Sequence, residues 1–318
     1  MAKLPATLAA FDIGPSGLKF VEMTRDAGQI VSAGRFELAP GRWNDREHLA
    51  AQVRSAIDTT ARGRVTRVIA AVPLGHAHLR VIATPAEGGE DDARDHVAWD
   101  MAHYLARPLD VYAVDAQPLD VTRGEEVLYA AAAFRRVVAL AIRDAVEEGS
   151  RLPLAALDVD AAALVNALAL NYPEAGDASV LLIQAGREGT GLIRARHGRL
   201  EGVVYLRDDG ALPGFGGADE AQEHAEGLLR RARAIAQYLR QAGEPAPGRV
   251  LMAGDLAPDP DFRELVNSHL VGIVEAPPAL FNPFRNLSGP PPEEFPDVYP
   301  GAPLAAAVGL ALRLAGEP

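Results

Sequence analysis

Chemistry is first on offer ten residues into the chain, in Phe11-Asp12-Ile13-Gly14-Pro15-Ser16-Gly17-Leu18-Lys19. Gly14 and Gly17 allow a tight turn whose backbone N–H groups can approach a ligand, Ser16 adds a hydroxyl, and Lys19 adds a cation for anionic oxygens. Asp12 is the acid that such a loop needs to hold a hydrated Mg²⁺. The spacing describes a phosphate-cradling hairpin, and an ordinary β-hairpin with glycine at its turn fits the same residues.

Other constellations have simpler readings. His76-Ala77-His78 would align two imidazoles on one face of a strand, but no carboxylate or third histidine stands near enough in sequence to complete a metal site. The acidic run from Glu87 to Asp92 could bind Ca²⁺, yet before a helix it more simply favours the helix dipole. Arg230, Arg231, Arg233 and Arg240 read as a solvated basic helix edge, with partner docking as the second reading, and Phe215-Gly216-Gly217 reads as an entry turn to that helix. There is no Gly-x-Ser-x-Gly, Walker-type Gly-Lys-Ser/Thr, His-Glu-x-x-His or Rossmann fingerprint.

Three apolar, β-rich runs at 8–13, 18–23 and 30–38 predict a meander that would carry the Asp12 hairpin. Asn44-Asp45 caps a helix with Leu49, Val53, Ala56 and Ile57 on one face, and a buried strand at 65–72 ends at Pro73. Residues 76–149 form a small α+β unit: strand 79–83, helix 93–105, strands 109–114 and 127–133, helix 135–148. A strand at 154–157 runs into a helix at 160–170. Runs at 180–184, 191–196 and 200–206 then repeat the opening meander around His197-Gly198. Helix 218–241, strand 249–253, helix 261–269, strand 271–275, a proline-rich loop at 282–299 and helix 303–315 complete the chain. Two copies of meander, helix and strand predict two similar lobes facing one another across a cleft.

Of the 318 residues, 48% are apolar and 23% charged, which is enough for two packed lobes; the net charge of −12 argues against nucleic acid or anionic lipid as a direct partner. The absence of cysteine excludes disulfides and thiolate chemistry, and no apolar run reaches the roughly 20 residues that span a bilayer. With Met-Ala-Lys leading straight into a strand pattern, the expectation is a cytoplasmic protein that meets a membrane only through a partner.

In their order, the Phe-Asp-Ile-Gly hairpin, the inserted α+β unit, the second meander and the terminal Ala-Ala-Ala-Val-Gly-Leu-Ala-Leu-Arg helix (305–313) resemble the actin-like ATPase superfamily. Within it the sequence is similar to the type IV pilus assembly protein PilM family, through 12–22, Ala71-Val72-Pro73, the helix at 99–105, Leu157-Asp158-Val159-Asp160 and Asn282-Pro283-Phe284. The resemblance implies an α/β, actin-like fold of two RNase H-like lobes: 1–75 as the first lobe, 76–150 as an inserted subdomain, 151–175 as the return to the first lobe, 176–302 as the second lobe with a shortened insertion, and 303–318 as a helix packing back on the first lobe. It also implies a cytoplasmic scaffold of a type IV pilus or type II secretion-like platform, gripping the N-terminal tail of a PilN-like bitopic inner-membrane protein, with a homo-oligomer possible.

The residues depart from the superfamily where nucleotide would bind. Pro15 removes an N–H from the first hairpin. In the second, Ile183-Gln184-Ala185-Gly186 places a neutral amide where an Asp-x-Gly carboxylate would help organise Mg²⁺. The adenosine stretch ends in one glycine, Gly254-Asp255, and only some 40 residues, mostly one helix, separate the second meander from strand 249–253. The expected nucleotide site (Asp12, Gly14, Ser16, Lys19, Gln184, Gly186, Gly254) is therefore degenerate: no resident cofactor, ATP weak or lost, Mg²⁺ at Asp12 only if Mg-ATP binds, and no catalysis. The alternatives are an active actin-like ATPase, which would need Asp158, Asp160 or Asp208 to replace Gln184, and a filament-forming FtsA-like protein. The partner peptide is expected in the groove between the first lobe and the insertion, at Val81, Trp99 and Tyr104 by position.

Overall fold

The computed structural model describes residues 6–15, 17–25, 28–39, 41–61, 63–87, 89–208, 218–243, 245–289 and 301–316. The first lobe opens with an antiparallel meander of β1 (Ala6–Gly14), β2 (Gly17–Thr24) and β3 (Ile30–Phe36), in register so that Asp12 faces Lys19. Glu22, fully buried in this sheet, accepts hydrogen bonds from Thr7 Oγ1 (2.7 Å), Ser32 Oγ (2.8 Å) and the Gly63 N–H (2.8 Å), which compensate its desolvation. The helix α1 (Arg46–Thr60) begins where Asp45 accepts from the His48 N–H at 2.9 Å, and β4 (Arg64–Val72) returns parallel to β1.

The chain then leaves the lobe. A three-stranded antiparallel sheet, in the order β5 (Ala77–Pro85), β7 (Glu126–Arg135), β6 (Tyr112–Arg123), carries α2 (Glu90–Ala102) on one face. Because β5 begins at Ala77, His76 stands in the preceding 3₁₀ turn against Trp43, with ring centroids 4.6 Å apart, and the two histidines do not share a strand face. The acidic residues 90–92 form the first turn of α2, where the dipole favours them. Although contiguous with the insertion in sequence, α3 (Arg136–Ser150) packs on α1. A Cβ at Gly149 would lie 2.6 Å from the Ala50 carbonyl oxygen, so the two helix backbones nearly touch there. β8 (Leu154–Val159) pairs parallel with β4 and completes the sheet order β3-β2-β1-β4-β8.

After α4 (Asp160–Asn171) the second lobe repeats the plan. β9 (Val180–Ala185), β10 (Gly189–Arg196) and β11 (Arg199–Arg207) form the meander, α5 (Ala218–Gln241) follows, and β12 (Arg249–Ala253), α6 (Pro260–Leu270) and β13 (Ala279–Leu280) give the order β11-β10-β9-β12-β13. Matching the two sheets strand for strand makes α3 the counterpart of α6 and places the inserted sheet between β4 and α3. The strand expected at 271–275 does not form. Gly272 has φ +75° and breaks the run, Ile273 and Val274 turn into the core under α6, and the sheet is closed instead by the two residues of β13.

Period-two alternation explains the layers. In β1, Ala9, Phe11 and Ile13 face α1 and α3, whereas Leu8 and Ala10 face α7 (Ala305–Gly316). In β9, Leu181, Ile183 and Ala185 face α5 and α6, whereas Val180 and Leu182 face α4. The helices α4 and α7 therefore form the layer between the lobes. They meet at Gly309, where a Cβ would fall 1.7 Å from the Ala163 carbonyl oxygen.

Candidate functional site: the interlobe cleft and the adjoining groove

The two hairpins face one another across a cleft lined by Asp12, Gly14 and Lys19 from the first lobe, Gln184, Gly186 and Gly254 from the second, and Asp160 at the start of α4. Ser16 lies outside the described residues. The open space amounts to about 70 Å³, room for only a handful of waters. Tyr205 of β11 helps to close it: Gly75 after β4 and Gly189 of β10 both lie so close to its ring that a Cβ on either would come within 2.7 Å of a ring or hydroxyl atom. Burial, followed by the charge of Glu188, pushes the Tyr205 phenol up to about 12.

Two polar ties cross the cleft. Lys19 Nζ lies 3.2 Å from Asp12 Oδ2 and 3.4 Å from Asp255 Oδ2, and Arg35 Nη1 lies 3.5 Å from Asp255 Oδ1. Burial alone would lower the Lys19 pKa, but Asp12 and Asp255 outweigh it and raise it, so the ammonium stays charged. In the second tie, Gln184 Nε2 donates to Asp160 Oδ2 at 2.6 Å, while Asp160 Oδ1 accepts from the N–H groups of Leu74 (2.8 Å) and Ala161 (2.7 Å). Burial and then the nearby Asp12 charge push the Asp160 carboxyl up to about 7 against those three hydrogen bonds. Of the three carboxylates weighed as replacements for Gln184, only Asp160 stands in the cleft. Asp158 pairs with Arg313, and Asp208 pairs with Arg231.

That last pair corrects the solvated reading of the basic helix edge. Arg230, Arg233 and Arg240 are exposed, but Arg231 is 5% exposed and donates to Asp208 Oδ2 through Nε (2.6 Å) and to the Gly186 and Arg187 carbonyl oxygens through its two terminal nitrogens. It holds the second hairpin from behind. Gly254, at φ +90°, brings Asp255 in beneath that hairpin: a Cβ there would lie 2.5 Å from the Ala185 carbonyl oxygen.

Beside the cleft, on the far side of α4, runs a larger groove of about 380 Å³. Its floor is the face of the inserted sheet that carries Leu79, Ala130, Ala132 and Phe134. Its walls are Val159 of β8, Ala162 and Val165 of α4, and Leu200 of the second lobe. Residues 113–119 of β6 border it, and among the described residues β6 pairs only with β7, which leaves one strand edge facing the groove. Of the residues expected there by position, Val81 lies on the same sheet face but packs into the interlobe core. Trp99 and Tyr104 lie on and just after α2, the helix that covers the opposite face; they are 63% and 50% exposed, and the Arg80 guanidinium stacks 3.4 Å from the Tyr104 ring centroid. No short motif marks the β6 edge. The alternation of small residues in Tyr112-Ala113-Val114-Asp115-Ala116 is the one local signal that could have pointed to it.

No family model matches the sequence, and no curated protein matches it. Solved structures do. A chain of a PilM–PilN type IV pilus biogenesis complex superposes with a TM-score of 0.77 at 22% identity, over 98% of this chain and 99% of that one. A Bacteroides thetaiotaomicron protein with an actin-like ATPase fold and unknown function superposes at 0.51 with 10% identity, over 87% and 91% of the two chains. The fold is actin-like. The cytoplasmic domain of EpsL, an inner-membrane component of the Vibrio cholerae type II secretion system, matches this actin-like chain at 0.51 with 10% identity, over 98% and 96%. Among the described residues no helix is long and apolar enough to cross a membrane, and no group of three or more His, Asp or Glu residues is arranged to hold a metal ion.

Proposed function

We propose that this protein is a PilM-like scaffold of a type IV pilus or type II secretion-like inner-membrane platform, working at the cytoplasmic side and gripping the N-terminal tail of a PilN-like bitopic membrane protein. The observation that carries this reading is the groove beside α4, which combines an apolar floor with an edge of β6 that pairs with no other strand among the described residues. An extended peptide entering it can add to the inserted sheet by main-chain hydrogen bonds while alternate side chains drop onto Leu79, Ala132 and Phe134. The likeness to the pilus complex supports the same reading.

In this reading the cleft is structural and ATP binding is weak or lost. Gln184 and Asp160, which would have to organise a metal and a water, are bonded to each other. Phosphate release from Mg-ATP is expected to be the same in the wild type as in Asp12→Ala. Fluorescence anisotropy with N-terminal peptides of the cognate inner-membrane pilus protein tests the scaffold directly. Saturable binding in the micromolar range is expected, and no binding at roughly 100 μM peptide overturns the assignment.

A further inference from the structure

Asp255, like Asp160, is a cleft carboxylate that belongs to neither hairpin. It enters from the second lobe, immediately after β12, and its side chain is 5% exposed. The turn that carries it is fixed on both sides: the Gly254 N–H donates to the Ala302 carbonyl at 3.1 Å, and the Leu256 N–H to the Ala185 carbonyl at 3.1 Å. So held, the carboxylate reaches two cations of the opposite lobe, Lys19 at 3.4 Å and Arg35 at 3.5 Å. Lys19 is the hairpin cation suited to anionic oxygens, and it already serves Asp12 at 3.2 Å.

We propose that Asp255 is the cleft's built-in anion: its carboxylate takes the place against Lys19 and Arg35 that the phosphate of a nucleotide would take, and it thereby decides that the cleft closes on protein rather than on a polyphosphate ligand. The inference rests on the reading of the cleft as structural and names the residue that makes it so. Two carboxylates and two cations already balance around Lys19, so an incoming polyphosphate must displace a buried carboxylate to reach that ammonium. Tyr205, wedged between Gly75 and Gly189, leaves little room for both.

The test is isothermal titration of Mg-ATP and of sodium tripolyphosphate into the wild type, Asp255→Asn, Asp255→Gly and Asp255→Asn/Lys19→Ala, with thermal melts to establish which variants fold. The wild type is expected to show no saturable binding up to about 1 mM. A folded Asp255 variant is expected to bind both probes at least tenfold more tightly, and the double variant to lose that gain. If every folded Asp255 variant is as silent as the wild type, the assignment of Asp255 is overturned while the structural reading of the cleft stands. If the wild type binds Mg-ATP as tightly as the variants, both are overturned.

Discussion

Arg231 shows how one side chain can set the shape of a loop it never covers. Its guanidinium spans Asp208 and the two carbonyls at the tip of the second hairpin, so the peptide planes there are held from behind the cleft. Removing it strands Asp208, whose side chain is 11% exposed. Arg231→Ala should therefore cost about 3 kcal/mol or more in urea unfolding, and Arg231→Lys should recover only part of this, because an ammonium cannot copy the planar fork. Asp160 gives a different kind of prediction. Its carboxyl sits near 7 in the folded protein, against about 3.9 in an unfolded chain. The native state therefore holds the proton more tightly between those values, and the stability that this brings is fully present at low pH and lost as pH rises through 7. The neighbouring groups are Asp12 and Tyr205, and only Asp160 changes in Asp160→Asn. Measured against that variant, the wild type should lose up to about 1.4 kcal/mol per pH unit between pH 5 and 7, and the difference should level off above pH 8.

At the scale of elements, what the sequence shows and what it hides divide along physical lines. Asp45 caps α1, Gly14 and Gly17 turn the first hairpin, and the apolar runs of β1, β4 and β9 alternate between two buried faces; each of these is a local pattern, and each is visible in the residues. The run Val271-Gly272-Ile273-Val274 has the composition of a strand, but a glycine with positive φ breaks it, so Ile273 and Val274 turn into the core under a helix while Val271 stays exposed. Cleft contacts are hidden for another reason. The Lys19–Asp255 and Gln184–Asp160 ties join residues that only the assembled lobes bring together, so Gln184 looks like a vacancy in sequence and is a hydrogen-bond donor in the fold. The groove is likewise made by several elements at once, from the inserted sheet, β8, α4 and β11, which is why position in the sequence points instead to Trp99 and Tyr104, behind the inserted sheet. Two substitutions test elements directly. Gly309→Ala drives a methyl into the Ala163 backbone and should separate α4 from α7 at a cost of about 3 kcal/mol in thermal or urea unfolding. Leu119→Glu puts a charge on the groove border at β6 and should weaken peptide binding at least tenfold in anisotropy, with an unchanged melting temperature.

For the whole molecule, the central layer of α4 and α7 does two jobs. Asp160 and Leu164 of α4 line the cleft, while Ala162, Val165 and Asn166 of the same helix line the groove. The lobes are fastened to each other on one side of this layer, and on the other lies the groove that the proposed scaffold would offer to a peptide. The acidic net charge of −12 fits a protein repelled by anionic lipid and brought to a membrane through a protein tail.

In the proposed scaffold, the edge of β6 that pairs with no strand among the described residues would have a cost when the partner is absent. A strand with unused N–H and C=O groups is a template for the wrong chain as well as the right one, and Pro118 with the register break up to Thr122 guards only part of its length. Produced alone, the protein should therefore tend to self-associate through this edge. A partner tail at a hundred times its dissociation constant would add about 2.7 kcal/mol to the stability of the folded form. The abundance of this protein in the cell would then follow the supply of its partner, and deleting the partner's tail would lower the amount of soluble protein without any change in its own gene.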